Sequence, residues 1–214
     1  MRILCYGDSN TWGYNPVNAM RYSGRWTRIL AGLLPDDEII EEGLNGRTFR
    51  KDDPTWPGRN GYEVLPVLLR THRPVDLVIV MLGSNDLKVF HQITLQELIS
   101  DLEATIDVIR DENLAVPYEV PDILVVSPVT LGSTITTTSK WAEFFTEDSY
   151  RISQETGRAF RKVSQEKKTF FFDASEAACA SSYDGLHLDE ENHKKLAEAI
   201  ALEIKGIKEK MLVK

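Results

Sequence analysis

Arg2-Ile3-Leu4-Cys5-Tyr6-Gly7-Asp8-Ser9-Asn10-Thr11-Trp12-Gly13 opens the chain and decides how the rest is read. Residues 3–6 form an apolar run, which a glycine and two small polar residues then break. A buried strand that stops at Gly7-Asp8-Ser9 carries a serine hydroxyl at its carboxyl end, and in open α/β sheets ligands bind at that edge. Serine after a strand also caps helices, so the tripeptide has two readings until the rest of the chain is weighed.

Apolar runs at 38–41, 77–82, 123–126 and 169–172 repeat the opening pattern. Leu77-Val78-Ile79-Val80-Met81-Leu82 is apolar at every position, which suits a parallel strand covered on both faces. Helical spacing fills the intervals. Trp26, Ile29, Leu30, Leu33 and Leu34 share one face, and residues 61–71 carry Val64, Leu68 and Leu69, with Pro66 questioning that helix's first turn. Thr94-Leu95-Gln96-Glu97 is a capping-box pattern, after which Leu95, Leu98, Ile99, Leu102, Ile106 and Ile109 hold one face up to Arg110. A polar helix is expected over 147–167. A last one begins near Asp189 and buries Leu196, Ile200, Ile204, Ile207 and Met211. Alternating strands and helices predict an α/β fold, a three-layer α/β/α sandwich on a five-stranded parallel sheet, in one domain over 1–214.

The 214 residues are 42% hydrophobic and carry a net charge of −8, which argues against nucleic acid or an anionic membrane as partner. Cys5 and Cys179 give neither metal spacing nor a disulfide framework. No apolar run approaches the ~18 residues of a membrane span. No secretory signal pattern precedes the first strand, so a cytoplasmic location is expected.

Two segments, 47–60 and 128–141, are rich in turn-forming residues and follow strands. Both are expected over the same sheet edge as Ser9, where long ordered loops serve function. They carry Trp56 and Trp141. With Trp12, and with Asp8 beside the serine, these are candidates to wall a substrate pocket.

A serine nucleophile needs a base, a group that orients the base, and donors aimed at a developing oxyanion. His72 ends a helix, where a cation is favourable. His91 sits in a loop without an evident partner, and His193 is expected on a polar face of the last helix. His187 differs, because Asp184-Gly185-Leu186-His187 places a carboxylate three residues ahead of it. That spacing lets the carboxylate meet one ring nitrogen while the other stays free for a serine, although a helix-capping loop explains the same residues. Gly83-Ser84-Asn85-Asp86 and Gly43-Leu44-Asn45-Gly46-Arg47 also follow strands. Asn85 is a side-chain donor candidate and Gly46 a backbone one, unless both are ordinary turns. A parallel sheet brings all four strand ends to one rim. Four unrelated turns would not be expected to supply a nucleophile, two donors and a base together.

In that order, the blocks Gly7-Asp8-Ser9, Gly43-Leu44-Asn45-Gly46-Arg47, Gly83-Ser84-Asn85-Asp86 and Asp184-Gly185-Leu186-His187 resemble the SGNH (GDSL-type) hydrolase superfamily. Glu41-Glu42-Gly43-Leu44, Asp52-Asp53-Pro54 and Met81-Leu82-Gly83-Ser84-Asn85-Asp86 are similar to its bacterial arylesterase and acyltransferase branch. The resemblance implies a flavodoxin-like sheet of order 2-1-3-4-5. It implies Ser9 as nucleophile, His187 as base and Asp184 as its orienting group. The Ser9 amide, Gly46 amide and Asn85 side chain are then the oxyanion hole. It implies no metal or organic cofactor, a small-molecule ester as substrate, and a homo-oligomer that in some members transfers acyl groups to alcohols. Asn10 stands where the family has leucine. The chain has neither Gly-x-Ser-x-Gly nor a His-Gly-Gly-Gly loop, which sets it apart from the α/β-hydrolase elbow.

A serine esterase acting on small acyl or aryl esters is therefore expected. A carbohydrate deacetylase with the same catalytic set is one alternative. A flavodoxin-like module that binds an anion at Gly7-Asp8-Ser9 is the other, opposed by the charge of Asp8 and by the lack of a basic cluster nearby.

Overall fold

The computed structural model describes residues 1–211. In chain order the strands are β1 (Arg2–Gly7), β2 (Glu38–Gly43), β3 (Leu77–Met81), β4 (Asp122–Ser127) and β5 (Phe170–Asp173). The helices are α1 (Ser9–Trp12), α2 (Trp26–Leu33), α3 (Gly61–His72), α4 (Leu95–Ile109), α5 (Glu112–Ala115), α6 (Glu147–Lys167) and α7 (Glu190–Met211). All five strands are parallel and ordered β2-β1-β3-β4-β5, as the resemblance implies.

Strand side chains alternate between two cores. Leu4, Tyr6, Val78 and Val80 pack with Leu65, Leu98, Leu102 and Phe160, so α3, α4 and α6 cover one face. Ile3, Cys5, Ile79 and Met81 pack with Trp26, Leu30, Leu196 and Ile200, so α2 and α7 cover the other. A fully buried aliphatic side chain contributes about 1.5–3 kcal/mol, and nearly every residue of β1, β3 and β4 is fully buried. The central strands thus form a rigid floor, and every loop leaving their carboxyl ends lies over one edge.

Several expected elements shift. The short run at 38–41 extends to Gly43, and the last strand moves one residue on. α3 continues through Pro66; the hydrogen bond proline cannot make would go to Tyr62, on the exposed side. Leu65, rather than Val64 or Leu68, takes the central buried position of that helix. Leu33 is exposed while Trp26, Leu30 and Leu34 enter the core. The Thr94–Glu97 capping box forms as expected. Leu196, Ile200, Ile204 and Ile207 are buried; the burial expected of Met211 falls outside the described residues. No helix among the described residues is long and apolar enough to cross a membrane.

Candidate active site

β1 ends at Gly7, and Asp8 caps α1 by accepting the Asn10 amide at 2.9 Å. This cap makes Ser9 the first helical residue, held where the chain turns off the sheet. The turn needs the end of β2 very close: a Cβ at Gly43 would overlap the Trp12 nitrogen, so glycine is required there. The amides of Ser9 and Gly46 make no hydrogen bond among the described residues.

The loop after β5 returns His187 over Ser9. Its Nε2 lies 2.9 Å from Ser9 Oγ, and its Nδ1 lies 2.7 Å from Asp184 Oδ2. Asp184 is fully buried, and its Oδ1 accepts the amides of Leu186 and His187 at 3.1 and 3.0 Å. Burial works against its charge, yet the His187 ring and these amides outweigh it and hold the carboxyl below its ordinary range. An ionised carboxylate only accepts, so Nδ1 carries the proton and Nε2 is the acceptor facing the serine hydroxyl. The helix-capping reading of this loop holds beside it: Asp189 Oδ1 accepts the Asn192 amide at the start of α7. Gly185 permits the geometry with φ +65°, and a Cβ there would crowd Ile135 N at 3.0 Å.

Asn85 is buried on the same rim, and its role needs refinement. Its amide nitrogen is engaged at rest, donating to Arg47 O at 3.2 Å and to Asp8 Oδ2 at 3.4 Å. A buried amide must be satisfied, and both bonds are long. Asp8 itself is pushed up to about 6, chiefly by burial, against the Asn10 amide and the His187, Arg47 and Lys88 charges. Next to Asn85, Asp86 Oδ1 accepts the Phe49 amide at 2.9 Å and so ties down the segment that follows Gly46.

A cavity of about 590 Å³ opens over Ser9 and His187, bounded also by Tyr14, Gly46 and Asn85. Trp56 and Trp141 line it, with Phe90, Phe144 and Phe145 completing an aromatic wall. Asp8 and Trp12 do not line it. Asp8 is buried behind the serine as a cap, and Trp12 turns away, with the Arg21 guanidinium 5.3 Å over its ring and Arg21 Nε bonded to its carbonyl.

The other histidines separate cleanly. His72 pairs with Glu42 Oε1 at 2.8 Å near the end of α3. His91 lies outside the cavity lining, and burial, then Lys88, pushes it down to about 4. His193 corrects the sequence reading: it is fully buried rather than on a polar face. Its Nδ1 accepts the Trp26 amide at 3.3 Å, its ring packs on Tyr22, and burial pushes it down to about 4.

Three residues bearing on the site were not foreseen in these roles. Asn10 Oδ1 accepts the Leu188 amide at 2.9 Å and its Nδ2 donates to Leu186 O at 3.2 Å, bracketing His187. Trp141 Nε1 donates to Asp184 Oδ2 at 3.2 Å. Tyr14 stacks on the His187 ring at 4.4 Å between centroids. The polar residue in place of the family leucine was the available signal for Asn10; pairings across such distances in sequence left none for Trp141 or Tyr14. The 128–141 segment also bonds to the histidine loop through Gly132 N to Gly185 O at 2.8 Å and Ser139 Oγ to Asp184 O at 2.7 Å.

A buried serine–histidine–aspartate chain at the carboxyl edge of a 2-1-3-4-5 sheet defines a class of acyl-transfer enzymes. Residues 5–195 match the model of the GDSL-like lipase/acylhydrolase family, and the chain belongs to that family. It is similar to the solved aryl esterase of M. smegmatis, at 36% identity over 96% of this chain and 98% of that one, with a TM-score of 0.90. Est24, a carbohydrate acetylesterase from Sinorhizobium meliloti, is similar at 34% identity over 96% and 99%, also with a TM-score of 0.90. No protein with a curated description matches the chain. The protein is a carboxylic ester hydrolase of the serine type, which favours catalysis over the binding-module reading.

Proposed function

We propose that Ser9, His187 and Asp184 carry out ester hydrolysis through an acyl-serine, with small acyl or aryl esters as substrates. The observation that carries the assignment is the unbroken chain Ser9 Oγ–His187 Nε2 and His187 Nδ1–Asp184 Oδ2, at 2.9 and 2.7 Å. Ser9 Oγ attacks the ester carbonyl as His187 Nε2 takes its proton. The negative charge forms at the rim between the free Ser9 and Gly46 amides, with the Asn85 amide turning from its long bond to Asp8. His187 then protonates the departing alcohol. Water enters, loses a proton to His187 and attacks the acyl-serine, which releases the acid and restores the serine. An alcohol in place of water would give a new ester, so acyl transfer is part of the proposal. The aromatic wall favours a planar or short acyl group.

The likeness to a carbohydrate acetylesterase supports a second substrate reading, an acetyl ester on a sugar, with the same chemistry. A single catalytic domain over 1–214, a cytoplasmic location, assembly into a homo-oligomer and independence of nucleic acid belong to the same reading. Turnover of p-nitrophenyl acetate by wild type and Ser9→Ala tests it. The reading expects turnover that the substitution abolishes, and an added alcohol that diverts product into a new ester. Undiminished turnover in the variant would remove Ser9 from the mechanism.

A further inference from the structure

Besides His187 and Tyr14, three ionisable side chains face the cavity beside Ser9: Asp53, Arg59 and Lys88. Asp53 is already answered. Its Oδ1 accepts the Thr55 amide at 2.8 Å, the Thr55 hydroxyl at 2.6 Å and the Trp56 amide at 3.1 Å. Its Oδ2 lies 3.6 Å from Lys88 Nζ. Burial opposes its charge, but these bonds and Lys88 keep its carboxyl below the ordinary range.

Arg59 is not answered. Its guanidinium has no hydrogen bond or ion pair among the described residues, and its Nε is buried with no partner. The Trp56 ring lies 5.6 Å from the guanidinium carbon, and the charges of Arg47 and Lys88 are close enough to feel Arg59. Nε passes 3.4 Å from where a side chain on Gly46 would begin, which sets this cation beside the amide proposed for the oxyanion. Lys88 is largely enclosed, with its ammonium 5.8 Å from the Phe90 ring centre and ion-paired to Asp53 at 3.6 Å. Burial pushes it below its ordinary range, against the Asp53 charge, so Arg59 is the cation left without a counter-charge. The cavity therefore holds a surplus positive charge within an aromatic wall, in a chain whose net charge is −8.

We propose that the substrate is an ester that itself carries a carboxylate, anchored by Arg59 with Lys88 beside it. The inference rests on the serine esterase reading and narrows its substrate class. A planar guanidinium fork matches a carboxylate with two parallel bonds, and the aromatic wall suits an aryl ring joining carboxylate to ester. A cavity of about 590 Å³ holds such a one-ring ester. A doubly charged phosphate would meet the Asp53 carboxylate at the same wall, so the monoanion is favoured.

The carboxylate can stand in either half of the ester, and two substrate pairs separate the cases. The acyl pair is p-nitrophenyl 4-carboxybenzoate against p-nitrophenyl 4-carbamoylbenzoate. The alcohol pair is 4-acetoxybenzoate against 4-acetoxybenzamide. Each kcat/KM is divided by the rate constant for hydroxide attack, which removes intrinsic reactivity. In wild type one pair is expected to favour the carboxylate by about tenfold, the scale of one charge-assisted contact. Arg59→Gln should bring that ratio to near one, Arg59→Lys should keep part of it, and added salt should weaken it.

A ratio at or below one in both pairs, with the carboxamide esters turned over, overturns the anionic subsite and leaves the esterase intact. A ratio that survives both Arg59→Gln and Lys88→Gln, each checked by circular dichroism to be folded, overturns it equally. No turnover of any of the four esters, with Ser9 inert to a fluorophosphonate, overturns the esterase reading and the subsite with it.

Discussion

His187 and His72 each hold a carboxylate, at 2.7 Å from Asp184 and 2.8 Å from Glu42. The bonds are nearly equal in length and opposite in arrangement. His187 gives Nδ1 to its carboxylate and turns Nε2 to Ser9, with both side chains of the pair almost wholly buried. His72 gives Nε2 to Glu42, and about a quarter of each side chain is exposed. A histidine–carboxylate pair is therefore not by itself a catalytic sign. What separates the two is which nitrogen remains, what stands opposite it, and whether water can replace the partner.

The contrast is broken most easily at the carboxylates. Asp184→Asn should lower kcat by ~10³–10⁴-fold, because an amide favours the wrong tautomer of His187, while Glu42→Gln should leave kcat within about twofold. Steady-state kinetics on both variants decides it, and similar losses in the two would erase the distinction. Next in size, Asn85→Ala should reduce kcat by ~10²–10³-fold with little change in KM, the pattern of a donor that matters in the transition state. A rise in KM alone would make Asn85 a binding group.

Trp141→Phe keeps the aromatic wall and removes only the bond to Asp184. It should cost kcat about tenfold, the worth of one hydrogen bond to a charged group. A carboxylate relieved of that donor holds its negative charge more closely toward the ring, so the acid limb of the pH–rate profile should move to higher pH. A loss in kcat with an unmoved profile would mean that Trp141 only packs.

The smallest effect concerns stability. Asp184 is held below its ordinary range in the folded protein, so its bonds stabilise the fold above about pH 4 and are lost as pH falls through the folded value. Thermal unfolding followed from pH 5 to pH 2 should show a shallower decline in Asp184→Asn than in wild type. Parallel declines would show that this carboxyl titrates alike in the folded and unfolded chain.

Much of this was legible in the chain. The strand ends at Gly7 and Met81 stand out because runs buried on both faces are apolar and stop abruptly at glycine or turn residues. By contrast, β2 is a half-exposed edge strand with three glutamates, and its end at Gly43 is marked only by the glycine. Parallel pairing then delivers Ser9, Gly46, Asn85 and His187 to one rim. The burial of His193 is not legible in sequence because its partners, Trp26 and Tyr22, come from a helix and a loop more than 160 residues earlier, and helical periodicity cannot report them. Trp12 and Trp56 look equivalent as loop aromatics, yet the close packing of α1 on Gly43 leaves Trp12 under Arg21 and away from the cavity. The bond from Trp141 to Asp184 joins two loops that lack any repeating pattern, so only the folded chain reveals it.

Intact-protein mass spectrometry after treatment with a fluorophosphonate, on wild type and Ser9→Ala, tests the proposed chemistry most directly. Wild type should gain the mass of one phosphonyl group on Ser9, and the variant should gain none. An unlabelled wild type, or equal labelling of the variant, would contradict the assignment of Ser9 as the nucleophile.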